Sequence, residues 1–97
     1  MYKEDFINLF HNIRDIIGYS GGDFNDYVLE DIESGEYDSV CIYQNNRFSI
    51  NYNIGLDNVE KGSIFIEISK GCIVDIEFLE LLGRLYDLID RWNRRGY

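Results

Sequence analysis

The chain has 97 residues, 45% of them hydrophobic and 28% charged, with a formal net charge of −9. That length fits one domain burying roughly 60–65% of its unfolded surface, and the apolar fraction excludes a disordered acidic tail. The charge opposes direct binding of nucleic acid, where Lys and Arg contacts to phosphate supply most of the affinity, and no apolar run approaches the ~18 residues of a membrane span.

The opening Met1-Tyr2-Lys3-Glu4-Asp5 lacks the basic-then-apolar order of a secretory signal. A cytoplasmic chain is therefore expected, or one in the host cytoplasm if it is phage-encoded. Cys41 and Cys72 are then reduced thiols, packed as small hydrophobes among β-branched neighbours. The chain has no Ala, Pro or Thr and abounds in Ile, Asn, Tyr and Asp. This usage suggests an A/T-rich gene, as in low-GC bacteria and their phages.

Lys3 to Ile17 reads as a helix. Phe6, Leu9, Phe10, Ile13, Ile16 and Ile17 follow the spacing of one apolar face. Glu4 and Asp5 suit the first turn, and Gly18 supplies the left-handed stop. Tyr19-Ser20-Gly21-Gly22 is a loop; a phosphate cradle would need a Lys-Ser/Thr pair after the glycines, and Asp23 follows instead.

Asp23 to Ser34 fits a short amphipathic helix better than a strand. Asp23, Asp26, Glu30 and Glu33 fall on one side, with Phe24, Val28 and Ile32 opposite. Asp23 is the expected N-cap and Gly35 the stop. Ser39 to Ile54 is a hairpin in which Phe48, Ile50, Tyr52 and Ile54 alternate with polar residues. A three-residue loop at Gln44-Asn45-Asn46 would pair Ile42 with Phe48 and Val40 with Ile50, leaving Asn46 in the left-handed region. A two-residue Asn-Asn turn would instead turn Cys41 and Tyr43 inward. The hydrophobic pattern favours the first register.

Gly55 to Gly62 is a polar connection. Ser63 to Ser69 forms a third strand with Ile64, Ile66 and Ile68 inward and Phe65 outward, covered by the acidic helix or part of a contact surface. After the Lys70-Gly71 turn, Cys72 to Ile76 extends the sheet or enters the last helix. From Asp75 the helical face is Phe78, Leu81, Leu82, Leu85, Leu88, Ile89 and Trp92. Acids lead it, Arg91, Arg94 and Arg95 close it, and Gly96 ends it. Gly83 inside this helix costs roughly 1 kcal/mol relative to Ala and suggests a close backbone approach. The expected fold is α+β: a three-stranded antiparallel sheet with the N-terminal and long C-terminal helices packed on it, plus a short acidic helix, in one domain over 1–97.

No motif carries chemistry. His11, the only histidine, lies one turn before Asp15 and reads as a surface helix pair. An EF-hand-like loop starting at Asp23 fails, with Tyr27 at the fifth position and Val28 at the sixth, where Gly is required. No catalytic residue, metal or cofactor is expected. The charge distribution is more informative. Asp15 to Asn46 holds eight acids and no Lys or Arg, so its net charge is −8, and the other 65 residues are nearly balanced. Surfaces shaped only for solubility mix signs, and a single-sign run lowers stability by self-repulsion. A basic partner is the simplest compensation. Asp23, Asp26, Glu30, Asp31, Glu33, Glu36 and Asp38 are the candidate charge donors. Tyr27 and Tyr37 are candidate anchors, tyrosine being frequent at interface hot spots, and Tyr19 and Tyr43 lie in the same region. A helix over Asp23 to Ser34 would be about 18 Å long, carrying about as much charge as one DNA strand over that length.

In size, acidity and the order helix, strand meander, helix, the whole chain resembles the small phage-encoded inhibitors of bacterial defence. These include anti-CRISPR proteins and anti-restriction DNA mimics. The likeness is one of class and transfers no individual residue. It implies a stoichiometric, non-enzymatic inhibitor whose partner is a basic nucleic-acid-binding protein such as a Cas or restriction nuclease. It implies no contact with nucleic acid or membrane; a monomer or small homo-oligomer is expected. Two other readings use the same features. One is an immunity protein or antitoxin against a basic nuclease toxin, associating fast by electrostatic steering. The other is an assembly subunit of a phage or mobile element, with Tyr52, Phe65 and Trp92 on an oligomer face.

Overall fold

The computed structural model describes residues 3–18, 21–54 and 62–94. Tyr19-Ser20, most of the Gly55–Gly62 connection and the terminal Arg95 and Gly96 lie outside the described residues. The elements are α1 (Lys3–Ile17), β1 (Asp23–Phe24), α2 (Val28–Ser34), β2 (Ser39–Gln44), β3 (Phe48–Asn53), β4 (Ser63–Ile68) and α3 (Ile76–Arg94). The sheet is antiparallel throughout, in the order β1-β2-β3-β4. The fold is α+β as expected, with a fourth strand where periodicity predicts the start of the acidic helix.

α1 and α3 cover one face of the sheet. Phe6, Leu9, Ile13 and Ile17 of α1 and Phe78, Leu82, Leu85, Ile89 and Trp92 of α3 are buried against Val40, Ile42, Tyr43, Phe48, Ile50, Tyr52 and Ile64. Tyr52 and Trp92 are thus core residues, 2% and 3% exposed, and belong to no oligomer face. A row of rings crosses the core: Phe10 to Phe24 at 5.7 Å, Phe24 to Tyr43 at 4.6 Å, Tyr43 to Phe48 and Phe48 to Phe78 both at 5.6 Å. Cations lie at both ends, Arg14 at 5.9 Å over Phe10 and 4.9 Å over Phe24, and Arg47 at 4.0 Å over Phe78. Each ring pair adds about 0.5–1.5 kcal/mol beyond area burial.

The hairpin takes neither expected register. Val40 faces Tyr52 and Cys41 faces Asn51, but Tyr43 faces Ile50, with a bulge between Cys41 and Tyr43. The bulge lets Val40, Ile42 and Tyr43 all turn inward while Cys41 stays half-buried on the other side, a pattern that no regular alternation can produce. Asn46 is not left-handed, since every positive φ among the described residues belongs to a glycine. The turn is organised by Asn45 instead. Its Oδ1 accepts from the N–H groups of Arg47 (2.8 Å) and Phe48 (2.9 Å).

Arg47 then locks this turn to α3. Its guanidinium donates to the Ile73 carbonyl at 3.2 Å and lies 3.7 Å from Asp75. Asp75 is the N-cap of α3, its Oδ1 accepting the Phe78 N–H at 2.8 Å. Cys72 to Asp75 therefore forms a loop, and the helix begins at Ile76.

Candidate functional site

The acidic segment is carried by an extension of the sheet rather than by one helix. Asp23 pairs with Gln44 and Phe24 with Tyr43. The Asn25 N–H continues the ladder to the Ile42 carbonyl at 2.9 Å. Phe24 gains two ring neighbours and the Arg14 guanidinium in this position, which outweighs a further helical turn. Gly22 makes the approach possible, because a Cβ there would overlap the buried Tyr43 ring. Asp23 is consequently a strand residue and caps no helix.

Asn25 organises the turn between β1 and α2. Its Nδ2 donates to the Cys41 carbonyl (2.9 Å) and to Asp31 Oδ2 (3.2 Å), and its Oδ1 accepts from the Tyr27 N–H (3.1 Å). Asn favours such turns because its side chain can imitate a backbone hydrogen-bonding group. α2 starts only at Val28 and has seven residues, about 10 Å of helix. Its N-cap is Tyr27, without a side-chain cap bond, and Gly35 (φ 70°) closes it as expected. The 18 Å acidic helix is therefore absent, and the acids are divided among a strand, a short helix and a loop. Val28 is buried, with Leu29 and Ile32 half-buried against the core. The Asp38 carbonyl, accepting from the Ile54 N–H at 2.9 Å, ties the end of the segment to the sheet.

The candidate residues do share one flank, beyond β2 and beside α1. Asp23, Asp26, Glu30, Glu33, Glu36 and Asp38 are exposed, and Asp31 is half-buried by its contact with Asn25. Tyr27 is 66% and Tyr37 50% exposed, as a contact residue requires. Tyr43 is fully buried and leaves the set. Two acids meet cations that the sequence places far away: Asp26 lies 4.0 Å from Arg14 and Glu33 3.6 Å from Lys3, both on α1. Such exposed pairs contribute about 0–1 kcal/mol. They reduce the single-sign character of the flank at its α1 side. Among the described residues, Asp23, Glu30, Glu36 and Asp38 have no ion-pair partner.

The other candidate groups stand apart. His11 is exposed on α1, and among the described residues no ion pair joins it to Asp15. Cys41 lies on β2 and Cys72 in the turn after β4, both as free thiols. Burial pushes the Cys41 thiol up, partly offset by a backbone hydrogen bond with Tyr43. Among the described residues no cluster of three or more His, Cys, Asp or Glu side chains could hold a metal ion, and no helix is long and apolar enough to cross a membrane. No protein-family model, curated protein or solved structure matches the chain.

Proposed function

We propose that this protein is a non-enzymatic inhibitor of the anti-CRISPR or anti-restriction type, which presents its acidic flank to the basic nucleic-acid-binding surface of a nuclease. The observation that carries this reading is the joint exposure of six carboxylates with Tyr27 and Tyr37 along residues 23–38. Four of those carboxylates lack an internal counter-charge among the described residues. A partner's Lys and Arg would relieve their mutual repulsion, and complementary fields would raise the association rate. The two tyrosines add apolar area at low conformational cost.

The test titrates the protein into purified Cas and restriction nucleases already bound to labelled DNA. The reading predicts that at least one nuclease releases its DNA at near-stoichiometric inhibitor, and that added salt weakens the effect. Retention of DNA by every nuclease across the titration would remove the proposal.

A further inference from the structure

The opposite flank carries a feature that the acidic reading leaves unused. α3 buries Phe78, Leu82, Leu85, Ile89 and Trp92, yet a second apolar stripe on it faces solvent: Ile76 is 76%, Leu79 61% and Tyr86 46% exposed. Gly83 lies within this stripe, and a Cβ built on it would meet nothing within 4 Å. Its helix-propensity cost is therefore not explained by packing inside the chain.

The position of the stripe follows from helical periodicity. Leu88 and Arg91 line the groove between α3 and α1. Asn93 points the other way, bonding both the N–H and the C=O of Ile64 on β4 at 2.9 Å. Leu79 and Tyr86 precede Asn93 at seven-residue intervals and so share its side of the helix. Ile76 and Gly83 lie one step further out. The stripe therefore begins at the edge strand β4 and continues into the preceding loop, where Ile73 is 83% exposed.

We infer that this stripe is a homodimer interface in which α3 packs antiparallel against α3 of a second copy. Three observations select a second copy as the occupant. The stripe is self-complementary: an antiparallel copy sets Leu79 over Gly83 of its mate and Ile76 against Tyr86, and the same contacts recur by the two-fold axis. Its charge permits the approach. Residues 62–94 hold six acids and four bases, a net −2 against −8 for residues 15–46. Asp75, Asp87 and Asp90 there are each paired with an arginine of the same chain. The area also suffices. The exposed apolar surface is on the order of several hundred Å², at or above the ~300–600 Å² largest patch of a typical monomer. A contact of that size lies below the ~800 Å² per partner of a standard interface and fits a dimer of about micromolar affinity.

Pairing of β4 with its own copy is the less suitable contact. Asn93 already occupies Ile64, and a register using the outward-facing backbone groups of Ile66 and Ile68, unpaired among the described residues, would set Glu67 against Glu67. The helix-mediated dimer leaves both acidic flanks outward, so it stands whether or not they bind a nuclease.

Sedimentation equilibrium of the full chain up to about 100 µM, where a micromolar Kd leaves the dimer predominant, tests the inference. Wild type is expected at twice the 11.4 kDa chain mass. Leu79→Glu and Gly83→Gln, both at exposed positions, are expected to raise the dissociation constant at least tenfold with an unchanged circular dichroism spectrum. Glu30→Gln on the acidic flank is expected to leave it unchanged. A wild-type chain that sediments at single mass, including one that keeps the stripe for a different protein, would overturn the inference. So would a dimer that survives both α3 substitutions.

Discussion

The two flanks of this molecule are built in opposite ways. The β1–α2 flank projects charge, and its backbone is held by short elements: Phe24 in the ring row, Val28 in the core with Leu29 and Ile32 half-buried against it, the hydrogen bonds of Asn25 and the Asp38 carbonyl to the Ile54 N–H. The β4–α3 flank projects apolar side chains from a long helix with a full buried face, fixed at its start by Asp75 and Arg47 and near its end by Asn93. Charge is thus displayed on a lightly tethered platform and hydrophobic surface on a rigid one. An acidic face gains from steering and tolerates small displacements, whereas helix-on-helix packing needs fixed shape.

Substitutions at the tethers separate the two constructions, and Phe24→Ala is expected to have the largest effect. It empties a position between Phe10, Tyr43 and Arg14, and should cost about 3 kcal/mol in denaturant unfolding. Hydrogen exchange should accelerate first at residues 23–34, with β3 and α3 still protected. Equal loss of protection everywhere would contradict the light tethering. Asn93→Ala acts on the other flank. It leaves the Ile64 N–H and C=O without their partner at the sheet edge, for about 1–3 kcal/mol. An unpaired edge also invites strand addition, so light scattering on concentration should rise relative to wild type.

Tyr52 tests the core between the flanks. Its phenol oxygen accepts the Gly62 N–H at 2.6 Å, and burial holds its pKa above the ordinary value, with that hydrogen bond acting in the opposite sense. A raised folded pKa favours the protonated phenol in the native state. Its contribution is complete below about pH 10, the unfolded tyrosine value, and is lost as pH rises from there through the folded pKa. Tyr52→Phe should therefore cost about 1–2 kcal/mol at neutral pH and flatten the alkaline fall in stability, followed by thermal unfolding from about pH 8 to 11. Lys3→Ala should have the smallest effect. It removes an exposed pair with Glu33, so the expected change is below about 1 kcal/mol. A larger loss would mean that α1 and α2 are joined more strongly than their geometry indicates.

Periodicity identifies α1, the hairpin, β4 and α3 within a residue or two, because α1, β3 and α3 each bury one continuous face; in β4 only Ile64 is buried, while Ile66 is half-buried and Ile68 is 39% exposed rather than inward. It cannot identify β1. Two residues have no period, and Phe24 with Val28 fits a helix face as well as it fits a strand followed by a helix. The bulge at Cys41–Tyr43 is equally hidden, since only the packed rings distinguish it from a regular strand. Asn25, between Phe24 and Asp26, offers a turn signal that the acid periodicity masks. The acidic site is legible as a segment but not as a shape. Lys3 and Arg14, which approach it in space, lie outside the acidic run, so the sequence does not show them as its neighbours. The α3 stripe is legible in principle: Ile76, Leu79 and Tyr86 are apolar residues off the face that buries Phe78, Leu82 and Leu85.

If the uncompensated carboxylates of the β1–α2 flank bind a basic nuclease surface, neutralising them must weaken that binding. The most direct measurement compares wild type with a Glu30→Gln, Glu36→Gln, Asp38→Asn variant in affinity for a nuclease whose DNA the wild type displaces, at low and moderate salt. These three side chains have no ion-pair partner among the described residues, so their neutralisation breaks no pair and should leave stability equal or slightly raised by the relief of self-repulsion. A loss of at least about tenfold in affinity, or about 1.4 kcal/mol, with a shallower salt dependence is the predicted result. Equal affinity and equal salt dependence for the two proteins would contradict the account.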